Sequence, residues 1–275
     1  MIDLHCHILP GIDDGSVDLD MSLEMARMSV ADGVHTLACT PHIYPGLYEN
    51  TSAVIRAGVD ALQIELDKRE IQLRLVVGAD VHLEPALSAS IRDGRIPTLA
   101  DSRYLLLEPP HHVAPPRFEE SVFELMAAGY VPVITHPERL SWIEHHYPVF
   151  KRLVERGVWM QLTAASVAGR FGRRALYWSE RMLDDGCVHI LATDAHHPGR
   201  RPPILALGRD AAAKRVGDAE ATHLVITRPQ GIVDNYPVDA LPPLPYSAAP
   251  VKSAGGFWKR LIGAQWSVPR SGKSR

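Results

Sequence analysis

Short apolar runs alternate with longer amphipathic segments along most of the chain, and this alternation limits the fold more than any other feature. The runs at 2–4, 36–39, 73–77, 104–107, 132–135, 158–162 and 188–192 are rich in Val, Ile, Leu and aromatic residues. Gly, Pro or polar residues bound most of them, as expected for buried strands. Between the first two, SVDLDMSLEMARMSVADG starts at a Ser16 cap, carries apolar residues at helical spacing and stops at Gly33. NTSAVIRAGVDALQIELDKRE reads the same way, as do residues 118–128, 145–156, 172–185 and 204–216. Seven strands, each followed by a helix, predict a parallel α/β fold: a closed or distorted barrel, or an open doubly wound sheet. No G-x-G-x-x-G follows the first strand, which counts against a dinucleotide-binding sheet. A length of 275 residues suits a single α/β barrel.

The strand ends carry the chemistry. The first strand runs into His5 and His7, which share a face because side chains two apart on a strand do, and Asp14 lies in the loop beyond. The second ends at Thr40-Pro41-His42, and Asp80 follows the third. Glu108 ends the fourth, His136 the fifth, and Asp194 and His196 the seventh. In a parallel barrel all these ends lie on one face, where the loops build an active site. Each residue alone has a duller role, Glu108 as a surface carboxylate, His136 as a satisfied core histidine, Asp194 as a helix cap. Six of seven strands ending in a charged or metal-competent side chain is the specific signal.

Nine donors exceed the roughly four that one tetrahedral ion takes, so two or three ions with a bridging carboxylate are expected. Imidazole and carboxylate without thiolate suit Mn²⁺, Fe²⁺ or Zn²⁺, and the carboxylate share leans toward Mn²⁺. Cys6 lies between His5 and His7 and is expected to face the opposite way, into the core.

Composition narrows the partners. The net charge of −3 offers no general attraction to nucleic acid or an anionic membrane. No apolar run reaches membrane-span length, and no signal segment opens the chain. Three cysteines, Cys6, Cys39 and Cys187, without C-x-x-C spacing point to a reducing cytoplasmic compartment. From Pro237 the chain turns proline-rich, then basic and aromatic. A domain over 1–236 and a poorly ordered tail over 237–275 are expected. Residues 257–266 of that tail, FWKRLIGAQW, read as an unstructured end, with an amphipathic membrane- or kinase-binding foot as the lesser alternative.

MIDLHCHILPGIDDGS, ACTPHIYPG, GADVH, YLLLE, VITHPER and ATDAHHPGRRPP, in this order, resemble the PHP-family metal-dependent protein-tyrosine phosphatases of bacterial capsule and exopolysaccharide operons, the CpsB/CapC type. The resemblance spans residues 1–236. It implies a distorted (β/α)7 TIM-like barrel with a trinuclear centre, acting on the phosphotyrosine tail of a partner tyrosine autokinase. It further implies one ion on His5, His7, Asp80 and Asp194, a second on Asp80, Glu108 and His136, and a third on Asp14, His42 and His196. One departure stands out: the bridging position is usually glutamate in that family and is Asp80 here, a shorter side chain.

The expected reaction is metal-assisted hydrolysis of phosphotyrosine, with Arg139 and Arg201 as phosphate-binding guanidiniums and Arg200 as an alternative to Arg201. A tyrosinate leaving group has a pKa of about 10, so no dedicated strong acid is assigned. A cysteine phosphatase is excluded, because it needs an Arg six positions after its Cys and those positions hold Ile12, Pro45 and Thr193. The alternatives are a small-molecule phosphomonoesterase of the histidinol-phosphatase type and a non-catalytic partner of a polysaccharide-export complex. EPPHHVAPPR forms a stiff loop at the expected mouth. It makes His111 and His112 candidates for substrate contact, although exposed loop histidines usually do nothing.

Overall fold

All seven expected strands form, and two of them continue after a break. The strands are β1 (Ile2–Cys6), β2 (Thr36–Cys39), β3 (His42–Ile43), β4 (Arg74–Val77), β5 (Asp80–His82), β6 (Tyr104–Glu108), β7 (Val131–Thr135), β8 (Trp159–Thr163) and β9 (Ile190–Ala192). The computed structural model describes residues 1–245. Every pairing is parallel, in one sheet of order β1-β2-β4 and a second of order β3-β5-β6-β7-β8-β9. β3 follows β2 after two residues, and β5 follows β4 after Gly78 and Ala79. At Gly78 an added Cβ would lie 2.9 Å from Thr40 Cγ2 and 3.0 Å from Leu99 Cδ2. Glycine leaves room there for both side chains, and the chain delivers Asp80 two residues beyond.

The helices are α1 (Leu19–Ala31), α2 (Ser52–Lys68), α3 (Leu87–Arg92), α4 (Phe118–Ala127), α5 (Ile143–Glu155), α6 (Ala164–Val167), α7 (Gly172–Asp184), α8 (Ala206–Val216), α9 (Asp218–Thr222) and α10 (Arg228–Val233). The cap of α1 is Asp18, whose carboxylate accepts from the Met21 N–H, and not the expected Ser16. The Ser16 hydroxyl is instead bonded to Asp18 O and faces Ser22. No described helix is long and apolar enough to cross a membrane.

The two faces of the strands bury different sets. Leu4, Ala38, Val76, Leu106, Val133, Trp159 and Ile190 form one cluster, while Leu37, Cys39, Leu75, Leu105, Leu107, Ile134, Met160 and Leu191 pack in the larger one with residues of the helices. Both are the alternating sets of one strand pattern. β1 breaks that alternation: Leu4 is in the first cluster and Cys6 in the second, because register against β2 slips between Asp3 and Cys6. The irregularity aims His5 and His7 away from Cys6, which is fully buried as expected.

Packed structure continues past Tyr236, where composition placed the boundary. The buried Arg228 guanidinium pairs with Glu220 and donates to the carbonyls of Pro242 and Pro243. Leu241 lies against Gly231, and the Tyr104 hydroxyl bonds Tyr236 O. A proline carbonyl accepts as well as any other, so a proline-rich stretch becomes ordered once a buried cation needs acceptors. Residues 246–275, with the expected tail and its FWKRLIGAQW foot, lie outside the described residues.

Candidate metal centre

Strand register decides which side chains meet. The Asp194 N–H donates to His5 O and the His7 N–H to Ala195 O, so the ends of β1 and β9 lie side by side. The turn after β1 folds back on itself: the Ser16 N–H bonds His7 O, and an added Cβ at Gly15 would lie 2.1 Å from that same oxygen. Glycine at 15 is what lets Asp13 and Asp14 return to the histidines.

All nine sequence candidates converge. His5 Nε2 lies 3.4 Å from both Asp80 Oδ2 and Asp194 Oδ1, and 3.2 Å from His7 Nε2. His42 Nδ1 lies 3.4 Å from Glu108 Oε2 and 3.6 Å from Asp80 Oδ2, while His136 Nε2 is 3.7 Å from Glu108 Oε1. His196 Nε2 is 3.2 Å and His42 Nε2 3.5 Å from Asp14 Oδ1. Donor atoms within 4.8 Å of one another form several metal-competent groups, among them His7–Asp14–His42–His196, His5–His7–Asp80, His5–His136–Asp194 and His42–Asp80–Glu108. His7 thus stands with the Asp14 group as well as with His5, and His42 reaches the Asp80 group. This sharing is wider than in the three ligand sets that the resemblance implies, where Asp80 alone is common to two.

Two orienting residues, Asp13 and Gln161, were not singled out in the sequence, and His111, singled out there for substrate contact, is also a donor. His111 joins Glu108 and His136 in a fifth group. The His5 Nδ1–H donates to Gln161 Oε1 at 2.9 Å, the His7 Nδ1–H to Asp13 Oδ2 at 2.7 Å, and the His196 Nδ1–H to the Asp194 carbonyl at 3.0 Å. Fixing Nδ1–H leaves each Nε2 lone pair aimed at the centre, as metal-binding imidazoles require. Asp13 also accepts from the Gly15 and His42 N–H groups, so one carboxylate holds both the turn and the ring. Gln161 had a signal, since it is the one polar side chain in the middle of the apolar run VWMQL.

The residues fit divalent cations. Both carboxylate oxygens of Asp80 are buried and have no hydrogen-bond partner, a costly arrangement for an anion unless a cation serves it. The shorter aspartate therefore still faces His5, His42 and His136. The local field asks for positive charge. Burial opposes a charged His7, yet Asp13 and Asp194 raise its pKa to about 10. His5 is raised too, by Asp80 and Asp194 against burial. His136 goes the other way, held well below its ordinary value by burial and the Arg139 charge. Burial and His7 bring His196 down to about 4.

Arg139 and Arg201 both bind Asp194: Arg139 Nη1 pairs with Oδ2, and Arg201 Nη2 donates to Oδ2 at 2.6 Å and to the carbonyl at 2.9 Å. Arg201 Nε is buried without a partner, and Arg200 is exposed. Both Asp194-bound arginines line a cavity of about 520 Å³ over the cluster. Its floor is polar, with Asp14, His42, Glu108, His111, His136, Asp194 and His196. Its rim is apolar. Tyr44 stacks on His82 at 3.9 Å and Tyr48 on His42 at 5.5 Å, and Leu47 and Val113 are 62% and 67% exposed.

A family model described as capsular polysaccharide synthesis, CpsB/CapC, matches residues 1–234. The chain belongs to the CpsB/CapC family. Among curated relatives of this family member is the tyrosine-protein phosphatase YwqE of Bacillus subtilis. It is 37% identical over 197 residues, which are 72% of this chain and 78% of the relative. The tyrosine-protein phosphatase CpsB of Streptococcus pneumoniae is 29% identical over 240 residues, 85% of this chain and 98% of the relative. A solved structure from work on YwqE and S. pneumoniae CpsB, described as unique metal-dependent tyrosine phosphatases, superposes with a TM-score of 0.84 at 33% identity. It covers 90% of this chain and all of that one. A histidinol phosphate phosphatase from Lactococcus lactis, at TM-score 0.53 and 13% identity over 78% of this chain and 93% of its own, shares the fold.

Proposed function

We propose that this CpsB/CapC family member is a metal-dependent protein-tyrosine phosphatase that hydrolyses phosphotyrosine on the tail of a tyrosine autokinase in capsule or exopolysaccharide synthesis. The single observation that carries the reading is Asp80, a buried carboxylate with both oxygens unpartnered among His5, His42 and His136. The fold reading is a distorted (β/α)7 barrel, supported by β3 and β5 prolonging β2 and β4 and by the Cys6–Ala195 bridge between the β1 and β9 ends. Three free buried cysteines agree with a cytoplasmic location.

His5, His7, Asp14, His42, Asp80, Glu108, His136, Asp194 and His196 would hold two or three ions, Mn²⁺ by the donor mix, with His111 as a further donor. When bound, such ions supply Lewis acidity toward phosphate oxygens and bring the pKa of a water toward 7. The protein supplies the rest. Asp13 and Gln161 keep His7 and His5 in the tautomer that presents Nε2. Arg139 and Arg201, held on Asp194 at the cavity wall, present guanidinium N–H groups to the phosphate oxygens. Tyr44, Leu47, Tyr48 and Val113 stand where the phenyl ring of the substrate passes, and they cover it from water.

Metal content and turnover of a phosphotyrosyl peptide, measured for the parent and His136→Ala, test the reading. Bound divalent metal with activity that falls sharply in His136→Ala is expected. Faster turnover of histidinol phosphate than of the peptide would replace it with the small-molecule reading, and no turnover of any phosphoester with Mn²⁺ supplied would leave a non-catalytic partner.

A further inference from the structure

Two neighbouring loop histidines behave differently at the cavity. His112 is exposed and joins no metal-competent group among the described residues. His111 turns inward: its Nε2 lies 3.2 Å from Glu108 Oε1, and its ring centroid is 5.0 Å from that of His136. His136 Nε2 lies 3.7 Å from the same Glu108 oxygen. One carboxylate oxygen thus faces two imidazoles, and donor atoms of all three residues lie within 4.8 Å of one another.

The loop is pinned at this histidine. The Ser141 N–H and hydroxyl both donate to His111 O, at 2.9 and 3.0 Å, and the Trp142 Nε1–H donates to Pro110 O at 2.8 Å. Ser141 and Trp142 follow shortly after His136, so the segment that presents one imidazole also holds the other. Pro109 and Pro110 restrict φ on the approach. A hydrogen bond to Glu108 would by itself account for the 3.2 Å contact. It gives no reason for a second imidazole to be fixed over the same carboxylate oxygen.

Asp80 is less well placed for the position that it shares with Glu108 and His136 in the ligand sets implied by the resemblance. Its Oδ2 lies 3.4 Å from His5 Nε2 and 3.6 Å from His42 Nδ1, but 3.9 Å from His136 Nε2. Among the described residues no metal-competent group holds Asp80 and His136 together, whereas one holds Glu108, His111 and His136.

We infer that Glu108, His111 and His136 hold a divalent cation between them, with His111 Nε2 as a ligand in the place that the resemblance gives to Asp80. Two imidazoles and one carboxylate, with a position left open, is a donor set of catalytic zinc sites, and all three residues line the cavity. Exchanging a carboxylate oxygen for an imidazole nitrogen moves the preference of this position from Mn²⁺ toward Zn²⁺ or Fe²⁺. Asp80 then serves the cations beside His5 and His42. The inference rests on the metal-dependent reading above and adds to it a ligand and a metal preference.

The test needs no turnover. Crystals of the full-length protein loaded with Zn²⁺ should show, by anomalous scattering at the zinc edge, a peak about 2.0–2.1 Å from both His111 Nε2 and His136 Nε2. In solution, the metal-free protein is titrated with Zn²⁺ and separately with Mn²⁺ against a chromophoric chelator. His111→Gln keeps an N–H that can donate to Glu108 and removes the imidazole. It should weaken the binding of one Zn²⁺ per chain by about 100-fold or more, beyond what losing an orienting partner costs, while Mn²⁺ affinity falls less than about tenfold. The retained Mn²⁺ binding shows that the variant is folded. A zinc peak bonded to Asp80 with His111 Nε2 beyond about 3 Å, or Zn²⁺ affinity unchanged in His111→Gln, would overturn the inference and leave His111 as a hydrogen-bond partner of Glu108. Equal losses for the two cations would overturn the metal preference. If the parent takes up neither cation, the inference and the metal-dependent reading fail together.

Discussion

Asp194 grips His5 twice: its backbone N–H donates to His5 O at 2.8 Å, and its Oδ1 lies 3.4 Å from His5 Nε2. The first contact joins the ends of β1 and β9, and the second faces the cavity. Asp194 achieves both with a φ of 51°, a left-handed conformation that Asp tolerates better than most residues. The contact that joins the strand ends also sets the site.

The orienting role of Gln161 predicts a separable effect. Gln161→Leu keeps the volume of the side chain and removes the acceptor of the His5 Nδ1–H. Mn²⁺ affinity should weaken by about 10- to 100-fold, and excess Mn²⁺ should restore turnover. Unchanged affinity by metal titration would remove Gln161 from the account.

The rim predicts selectivity by ring. Leu47→Ser with Val113→Ser should lower kcat/KM for phosphotyrosyl peptide about tenfold and leave an alkyl phosphate nearly unaffected. A parallel loss on both substrates would show that these residues do not discriminate.

His189 predicts an acid-side loss of stability that does not involve the metal centre. The ring is buried, stacks on Trp159 and accepts from the Met160 N–H. Burial first, and then the Arg228 charge, hold its pKa well below the ordinary value of 6.5. The unfolded chain takes a proton below that value and the folded chain refuses it. Stability from this residue is therefore complete above pH 6.5 and falls as pH drops, by at most about 1.4 kcal/mol per pH unit. His189→Asn, which keeps an acceptor for Met160, should show a smaller drop in urea midpoint between pH 7.5 and 5.5, with chelator in both samples. The other histidines titrate alike in the two proteins, so equal drops would clear His189.

Arg228 predicts the importance of the segment after Tyr236. Arg228→Met strands Glu220 and leaves the Pro242 and Pro243 carbonyls without a donor. It should cost about 3–5 kcal/mol, and adding Glu220→Gln should recover part of it because no buried charge remains unpaired. Denaturant titrations of the two variants give the comparison, and a double variant as weak as the single would argue against the pairing.

What could be read without coordinates was local. Short apolar runs bounded by Gly, Pro or polar residues located all seven strands to within a residue or two at each end, and the residue types at their ends supplied the nine donors that converge. Ser16 was a plausible cap by composition and lost to Asp18, because a boundary shift of two residues costs little locally and is decided by packing. Residues 237–245 pack against Arg228 for a related reason: a proline-rich stretch looks like a linker until a buried arginine needs its carbonyls.

The sequence by itself determined the alternation of strand and helix and the kind of side chain at each strand end, because both depend on neighbours a few residues apart. Only the tertiary structure decided that His5 and Cys6 part company at a slip in β1, that Gln161 meets His5, and that His111 comes in from a loop. Each of these depends on register between strands far apart in the chain and on where a loop returns. Both are set by packing and long-range hydrogen bonds that local pattern does not encode.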